Sequence, residues 1–201
     1  GAVQLRPTTS RVLAHVVKPA ATFEADHLVL PFEAHPVDTD QPVPGFHVGA
    51  GCLFASGTIT QCIPYDPNFY FHGEEQGLAL RLFTHGWDIF HIPELPVYHL
   101  YNNAESGAPP RPLHWDAAHE AQRSLSWWTL EQRSRARLTA LVEGRLQGAY
   151  GLGSVNTVAD YADFSGIDYA RRTLATKAFT AQREALVIQS TPPSEWPTPE
   201  R

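Results

Sequence analysis

The sequence predicts an α/β protein, because strand patterns come first along the chain and helical patterns dominate its later part. The stretches "RVLAHVVKP" (11–19) and "HLVLPFEA" (27–34) are rich in aliphatic residues, and each is expected to form a short strand. By contrast, "GEEQGLALRLFTHG" (73–86) and "TLEQRSRARLTALVEGRLQG" (129–148) place apolar residues at the spacing of a helix. The C-terminal region is therefore expected to be mainly helical.

The size and charge of the chain limit what it can be. With 201 residues, 43% of them hydrophobic, it can build one core of ordinary size. We expect a single domain over residues 1–187 and a flexible proline-rich tail over residues 188–201. A net charge of −6 offers no basic surface for nucleic acid, and no apolar run predicts a membrane span. Two cysteines favour a reduced, cytoplasmic setting over a disulfide scaffold.

Prolines and glycines divide the first part of the chain. Pro19 and Pro31 are expected to end the two strands, and the proline-rich segment 35–45 is expected to be a loop. In "FHVGAGCLFASG" (46–57), glycines interrupt an apolar strand pattern. Glycine in that setting indicates close approach of the backbone to a ligand or to a neighbouring element.

The segment 73–86 has every signal of a helix. Glu74 and Glu75 fall in its first turn, where the helix dipole favours carboxylates, and Gly86 is placed to end it. One face is expected to carry Ala79, Leu82 and Phe83. Alternation in "WDIFHIP" (87–93) then predicts a strand with Trp87, Ile89 and His91 on one side and Asp88, Phe90 and Ile92 on the other.

Three further segments complete the prediction. "PVYHLY" (96–101) is expected to be extended, with Val97, His99 and Tyr101 on one face. The helix at 129–148 is expected to open with a Thr-x-x-Gln capping box at Thr129. A shorter helix at 157–166 is expected to begin at Thr157 and to end at Gly166.

The two adjacent glutamates are the first candidates for chemistry. They complement the dipole of their helix, but that does not explain the aromatic approach "NFYFHG" that precedes them. Aromatic rings can stack on the C–H face of a sugar while carboxylates accept hydrogen bonds from its hydroxyl groups. The segment therefore favours a carbohydrate site at Glu74 and Glu75.

Histidines and aspartates raise the question of a metal. His85, His91 and His99 do not have the spacing of a compact zinc site, and no cysteine pair supports one. His99, on a predicted strand, could complete a divalent-metal site begun by carboxylates elsewhere, or it could be an ordinary half-buried histidine. Asp38 and Asp40 have the Asp-x-Asp form of a metal–diphosphate motif, which is a weak signal in a proline-rich loop.

An ordered set of motifs resembles one enzyme family. A Tyr-Asp-Pro turn, a Gly-Glu-Glu helix start, the segment "RLFTHGWD" and a His-x-Tyr strand follow one another. Over roughly residues 25–175, the chain resembles the glycosyltransferases typified by cytoplasmic hydroxyproline N-acetylglucosaminyltransferase. One departure is Asn156, where the resemblance leads us to expect arginine.

The resemblance implies a GT-A-like fold of which this chain looks like the C-terminal, acceptor-side half. The donor half, with the uridine pocket and the acidic metal motif, is then expected upstream or as a separate segment, because Asp38 and Asp40 lie at the wrong place in the family order. Asp66 and Arg81 are expected to be structural, through a turn and an ion pair. By the same resemblance the catalytic pair is Glu74 and Glu75, the metal ligand for Mn²⁺ or Mg²⁺ is His99, and the substrate contacts are His72, Gly73, Trp87, Asp88 and Tyr101.

These observations favour an enzyme that moves N-acetylglucosamine or a related hexose from a UDP-sugar to a hydroxyl acceptor, with a metal and with retention of configuration. The alternative is a carbohydrate-binding or scaffolding remnant without turnover. A hydrolase using Glu74 and Glu75 as acid and base is disfavoured, because adjacent residues at a helix start point in divergent directions. UDP release from a panel of UDP-sugars separates the transferase from the remnant.

Overall fold

A computed structural model describes residues 12–93 and 111–181 of the chain. The strands are β1 (Val12–Val17), β2 (Phe32–Val37), β3 (Val43–Gly45), β4 (Ile89–His91), β5 (Ile167–Asp168) and β6 (Thr173–Leu174). The helices are α1 (Ile59–Cys62), α2 (Glu74–Thr84), α3 (Ala117–Glu120), α4 (Trp127–Val142) and α5 (Val158–Ser165), with 3₁₀ turns at Gly148–Tyr150 and Thr176–Phe179.

In the described ranges the strands form three antiparallel pairs, β1 with β2, β3 with β4, and β5 with β6. The longest pair runs from Val12 opposite Val37 to Val17 opposite Phe32. Helices and strands thus occur together, as the α/β prediction requires. None of the described helices has the length and apolar character needed to span a bilayer.

Helix α2 lies at the centre of the packing. Its residue Leu80 belongs to a main core built from β1, α2, α4, α5 and β5. A second apolar cluster, containing Leu78, Ala79 and Leu82, packs against Trp87 and Ile89. Each buried leucine removes apolar surface from water at a gain of about 1.5–3 kcal/mol. Contacts on both sides leave α2 little freedom to move, so the residues at its ends have fixed positions.

The strand predicted at 27–34 is wrong in its position. Strand β2 begins at Phe32, directly after Pro31, instead of ending there. Residues 28–30 are held by a side chain of α2: the Leu30 N–H donates to Gln76 Oε1 at 2.9 Å, and Gln76 Nε2 donates to the Leu28 carbonyl at 3.4 Å. Because Gln76 satisfies this backbone, the apolar stretch is buried without pairing as a strand.

The loop predicted at 35–45 is also partly wrong, since it contains the end of β2 and all of β3. Pro36 and Pro44 both lie in these strands. Among residues 12–93 and 111–181 each sheet has two strands, and proline is tolerated in the edge strands of a sheet. The true loop is limited to the residues between Val37 and Val43.

Residues 46–57 form no strand. The expected close approach occurs at Gly49, where a Cβ would lie 2.6 Å from the His15 ring. No such neighbour lies near Gly51 or Gly57. The glycine pattern therefore marks tight packing between two parts of the chain at one position only.

Helix α4 differs from the predicted helix at 129–148 at both ends: it ends at Val142, where the left-handed Gly144 follows, and not at residue 148. Helix α4 begins one turn earlier than expected, because Ser126, and not Thr129, is the N-cap: its Oγ accepts the Thr129 N–H at 3.1 Å. Helix α5 begins and ends as predicted, with a capping box between Thr157 and Asp160 and a left-handed Gly166.

Candidate active site

Helix α2 starts at a glycine in a conformation that few other residues adopt. Gly73 is buried and has a φ of 85°, and a Cβ there would lie 3.2 Å from Val29 Cγ2. Glycine takes this backbone conformation without a steric penalty. Gly73 therefore turns the chain into α2 and places Glu74 and Glu75 in the first turn. Its contact with substrate stays a prediction.

Glu74 is a half-buried carboxyl group beside Tyr65. Burial raises the pKa of Glu74, a hydrogen bond with Tyr65 opposes that rise, and the charge of Glu75 adds to it. Burial and the two glutamates raise the pKa of Tyr65 to about 12, so its hydroxyl stays protonated and donates. A carboxylate with a raised pKa is a better proton acceptor than an ordinary one.

Glu75 holds a loop against α2. Its Oε1 accepts the N–H of Ala50 at 2.7 Å. Ala50 lies in the irregular segment between β3 and α1. One oxygen of Glu75 is thus used for structure.

His72 is anchored to helix α4. Its Nδ1 lies 2.7 Å from Glu131 Oε1, and Arg135 Nη2 lies 2.9 Å from the same oxygen. The Glu131 side chain is only 4% exposed, whereas that of His72 is 47% exposed. A buried carboxylate is tolerated because two partners satisfy it. His72 is therefore fixed in place with much of its ring still open to a ligand, near Glu74.

Trp87 and Asp88 lie at the opposite end of α2. They line a shallow depression together with Pro44, Gly45, Phe46, Phe83, Ile89, Phe90 and Phe164. Trp87 and Ile89 are half-buried, whereas Asp88 and Phe90 are exposed, so the predicted alternation is confirmed. Eleven residues of helix span about 16 Å. The structure therefore does not bring Trp87 and Asp88 together with Glu74.

The predicted metal site cannot be placed. His99 and Tyr101 lie outside the described residues. Within residues 12–93 and 111–181, no set of three or more His, Cys, Asp or Glu side chains is arranged to hold a metal ion. Asp38 and Asp40 are exposed after the end of β2. The described residues alone thus do not fit a metal.

Asp66 and Arg81 have structural contacts. Asp66 accepts the Asn68 N–H in a tight turn and pairs with Arg137 Nε at 2.6 Å. Arg81 donates to the carbonyls of Pro64 at 2.8 Å and Ala149 at 2.5 Å. The turn at Asp66 lies where the sequence predicts it. The cation that pairs with Asp66 is Arg137 of α4. Both contacts fix the "PYDP" segment that carries Tyr65.

Asn156, the departure from the expected arginine, closes the C-terminal end of α2. Its Nδ2 donates to the Phe83 carbonyl at 2.8 Å, and its backbone N–H donates to the Thr84 carbonyl at 3.1 Å. Carbonyls at a helix end lack partners within the helix. Asn156 thus acts as a cap in this chain.

A cluster of three histidines joins two strand pairs. His15 Nδ1 and His47 Nδ1 lie 3.4 Å apart, and the His15 N–H donates to His91 Nε2 at 3.3 Å. His47 is 1% exposed and stacks on Phe32 with ring centroids 3.6 Å apart. Burial lowers the pKa of His47 well below its usual value, and His15 and His91 lower it further.

Sequence reasoning missed Tyr65 and Glu131 as partners of the site. Tyr65 lies nine residues before Glu74 in the same motif region, so its Tyr-Asp-Pro context was an available signal. Glu131 is a single acid on a helix far along the chain, and its pairing with His72 comes only from the fold.

Comparison with known proteins bears on this geometry. The model of the family described as Glycosyltransferase (GlcNAc) matches residues 16–171, which include Tyr65, His72, Glu74 and Glu75. Neither the curated proteins nor the solved structures give a match. The matched range covers well over half of the chain and contains every described element from β2 to β5. The chain therefore belongs to the GlcNAc glycosyltransferase family.

Proposed function

We propose that this protein transfers N-acetylglucosamine, or a related hexose, from a UDP-sugar to a hydroxyl group, and that the chain supplies the acceptor side of a GT-A-like fold. Membership of the family supports glycosyl transfer in general. The UDP donor and retention of configuration come from the sequence resemblance to the hydroxyproline N-acetylglucosaminyltransferase, and the resemblance leaves the acceptor of this chain open. A cytoplasmic location is proposed with them, and the absence of a disulfide between Cys52 and Cys62 is in keeping with it.

The position of Glu74, half-buried beside Tyr65 and His72 at the start of α2, is the observation that carries the proposal. A half-buried carboxylate between Tyr65 and His72 can accept a hydrogen bond from an acceptor hydroxyl and take up its proton. The new bond joins the hydroxyl oxygen to the anomeric carbon while the bond from that carbon to the UDP oxygen breaks. Retention requires the hydroxyl to approach the face from which UDP leaves. Glu75 and His72 orient the reacting groups.

The metal is a separate part of the proposal. We propose that His99 is a ligand of Mn²⁺ or Mg²⁺, a metal that would neutralise charge on the leaving diphosphate. The described residues contain no ligand set for it. The proposed role of Glu74 is therefore independent of where the metal binds.

The test is UDP release from a panel of UDP-sugars with Mn²⁺ present, measured both on this chain and on a protein extended upstream to include the proposed donor half. We expect Glu74→Gln, which keeps the shape of the side chain but cannot take up a proton, to lower UDP release about 10²–10⁴-fold. Glu143→Gln is the matched control, since Glu143 pairs with Arg145 on an exposed surface. UDP-sugar turnover that is equal in Glu74→Gln and in the wild type contradicts the role of Glu74. Saccharide binding without UDP release from any donor contradicts the transferase and favours a carbohydrate-binding protein.

A further inference from the structure

Next to Glu74 the surface carries aromatic rings that the proposed reaction does not use. Phe71 and Trp115 are 50% and 41% exposed, and their ring centroids lie 5.6 Å apart, edge to face. The His114 ring contacts both, with centroid distances of 4.7 Å to Phe71 and 4.3 Å to Trp115. We call these three residues the aromatic shelf. It lies beside His72, whose ring centroid is 4.8 Å from that of Phe71.

The backbone of Phe71 is strained. Its φ is +56°, a value that a bulky residue rarely adopts. The His72 N–H donates to the Tyr70 carbonyl at 2.7 Å, which closes a three-residue turn around Phe71. Glycine would adopt this turn far more easily. An exposed phenylalanine at such a position is unfavourable for the folded state by itself, and strain of this kind is concentrated at ligand sites.

One buried hydroxyl keeps the strained turn in place. Ser134, on α4 and fully buried, accepts the Tyr70 N–H at 3.1 Å and donates to the His72 carbonyl at 2.5 Å. These two hydrogen bonds fix the backbone on either side of Phe71. The turn is thus specified by the surrounding structure, and the Phe71 ring is presented at a fixed place.

A second set of contacts fixes the other side of the shelf. The Tyr70 hydroxyl hydrogen-bonds to His114 Nδ1 and accepts from Arg123 Nη1 at 2.8 Å. Burial, Arg123 and His72 lower the pKa of His114, so its ring stays neutral near pH 7. The shelf therefore presents rigid, uncharged rings, which suit an uncharged ligand better than a phosphate.

We propose that the aromatic shelf binds a pyranose ring of the acceptor, so that the acceptor is a saccharide. This inference rests on the proposed transferase function, because it names the substrate class of the same site. A pyranose has a C–H face that can lie on Phe71 or Trp115 and a rim of hydroxyls that can reach His72 and Glu74. A serine side chain has no ring, and the pyrrolidine ring of hydroxyproline has a C–H face but only one hydroxyl group, whereas a pyranose offers hydroxyls for His72 and Glu74 at the same time.

The test measures the binding of methyl β-D-glucopyranoside by NMR titration of the full chain, in parallel with UDP release. We expect Phe71→Gly and Trp115→Ala each to weaken glycoside binding about tenfold. Phe71→Gly should also raise the melting temperature, because glycine relieves the strained backbone. Phe54→Ala is the matched control, since Phe54 is 96% exposed and lies outside the shelf.

The outcomes separate this inference from the proposed function. Glycoside binding that depends on Phe71 and Trp115, but without UDP release, upholds the shelf and contradicts the transferase. UDP release stimulated by a hydroxyproline or serine peptide and not by the glycoside overturns the saccharide acceptor while upholding the transferase. Glycoside binding that is equal in the wild type, Phe71→Gly and Trp115→Ala overturns the shelf.

Discussion

Glu74 and Tyr65 form a pair in which each residue changes the ionisation of the other. The hydrogen bond from Tyr65 stabilises the charged carboxylate and so lowers the pKa of Glu74 against the effect of burial. If Glu74 takes a proton from the acceptor, activity must fall as the pH decreases through its pKa. The net shift of that pKa is upward, so we expect the acidic limb of kcat/KM above the ordinary glutamate value.

Tyr65→Phe tests this pair directly. The variant keeps the ring but removes the hydrogen bond, which destabilises the carboxylate and raises the pKa of Glu74 further. We therefore expect the acidic limb of kcat/KM for UDP release to move to higher pH. The measurement is a pH profile of wild type and variant. An acidic limb that stays in place, or that moves to lower pH, would show that Tyr65 does not act through Glu74.

Glu75 allows structure and chemistry to be separated with two substitutions. Glu75→Gln keeps an oxygen that can accept the Ala50 N–H but removes the charge, whereas Glu75→Ala removes both. We expect Glu75→Gln to lower kcat more than it changes the KM for the UDP-sugar, because in the proposed function another part of the fold binds the donor. If only Glu75→Ala is impaired, Glu75 serves as a loop anchor and is not a catalytic residue.

At the scale of single elements, local signals predicted α2 and α5 well, and long-range contacts account for the errors. The ends of both helices depend on residues within one turn, such as Gly73, Thr157 and Gly166, and these can be read from the sequence. The strand expected at 27–34 failed because Gln76, more than forty residues away, takes its backbone hydrogen bonds. Likewise, no local pattern shows that Ser134 holds the turn at Phe71.

His47 packs against two neighbouring elements, and the stability of this packing should depend on pH. It packs between β1 and β4, where His15, His91 and Phe32 surround it. Its pKa in the folded state is lowered, so the unfolded chain binds a proton more readily. The stability contributed by neutral His47 is fully present above about pH 6.5, and it is lost as the pH falls below that value.

We therefore expect the free energy of unfolding to decrease between pH 7.5 and pH 5, and His47→Phe to make this decrease smaller. Phenylalanine preserves the stacking on Phe32 but cannot take up a proton. Urea denaturation at several pH values measures both curves. His35→Phe, at an exposed position of β2, is the control. Parallel curves for His47→Phe and wild type would exclude His47 as the source of the pH dependence.

At the scale of the whole molecule, the sequence predicted the mixture of helices and strands and the family, which the match over residues 16–171 confirms at the level of GlcNAc glycosyltransferases. It did not predict how the pieces pack. Tyr161, for example, donates to the Phe46 carbonyl at 2.6 Å across 115 residues of chain. The same limit holds for the site: His72 and the two acids were found from a local motif, whereas Glu131, the partner of His72, and Ala50, the partner of Glu75, come from distant segments.

The proposed metal site concerns the whole molecule, because its ligands would come from separate parts of the chain. The described residues hold no group of three or more suitable side chains, so the proposed metal site needs at least one ligand from outside the described ranges, and we propose His99 for this role. We expect His99→Ala to weaken UDP binding in the presence of Mn²⁺ by at least about tenfold. UDP binding in EDTA should not change.

Calorimetric titration of UDP with and without Mn²⁺ measures this difference. His35→Ala serves as the control, since His35 is an exposed histidine of β2 outside the candidate site. The prediction also separates the two parts of the proposed function. If Mn²⁺ strengthens UDP binding equally in His99→Ala and in wild type, His99 is not a ligand of the metal. The proposed role of Glu74 is not affected by that result, because the pH profile of activity tests it separately.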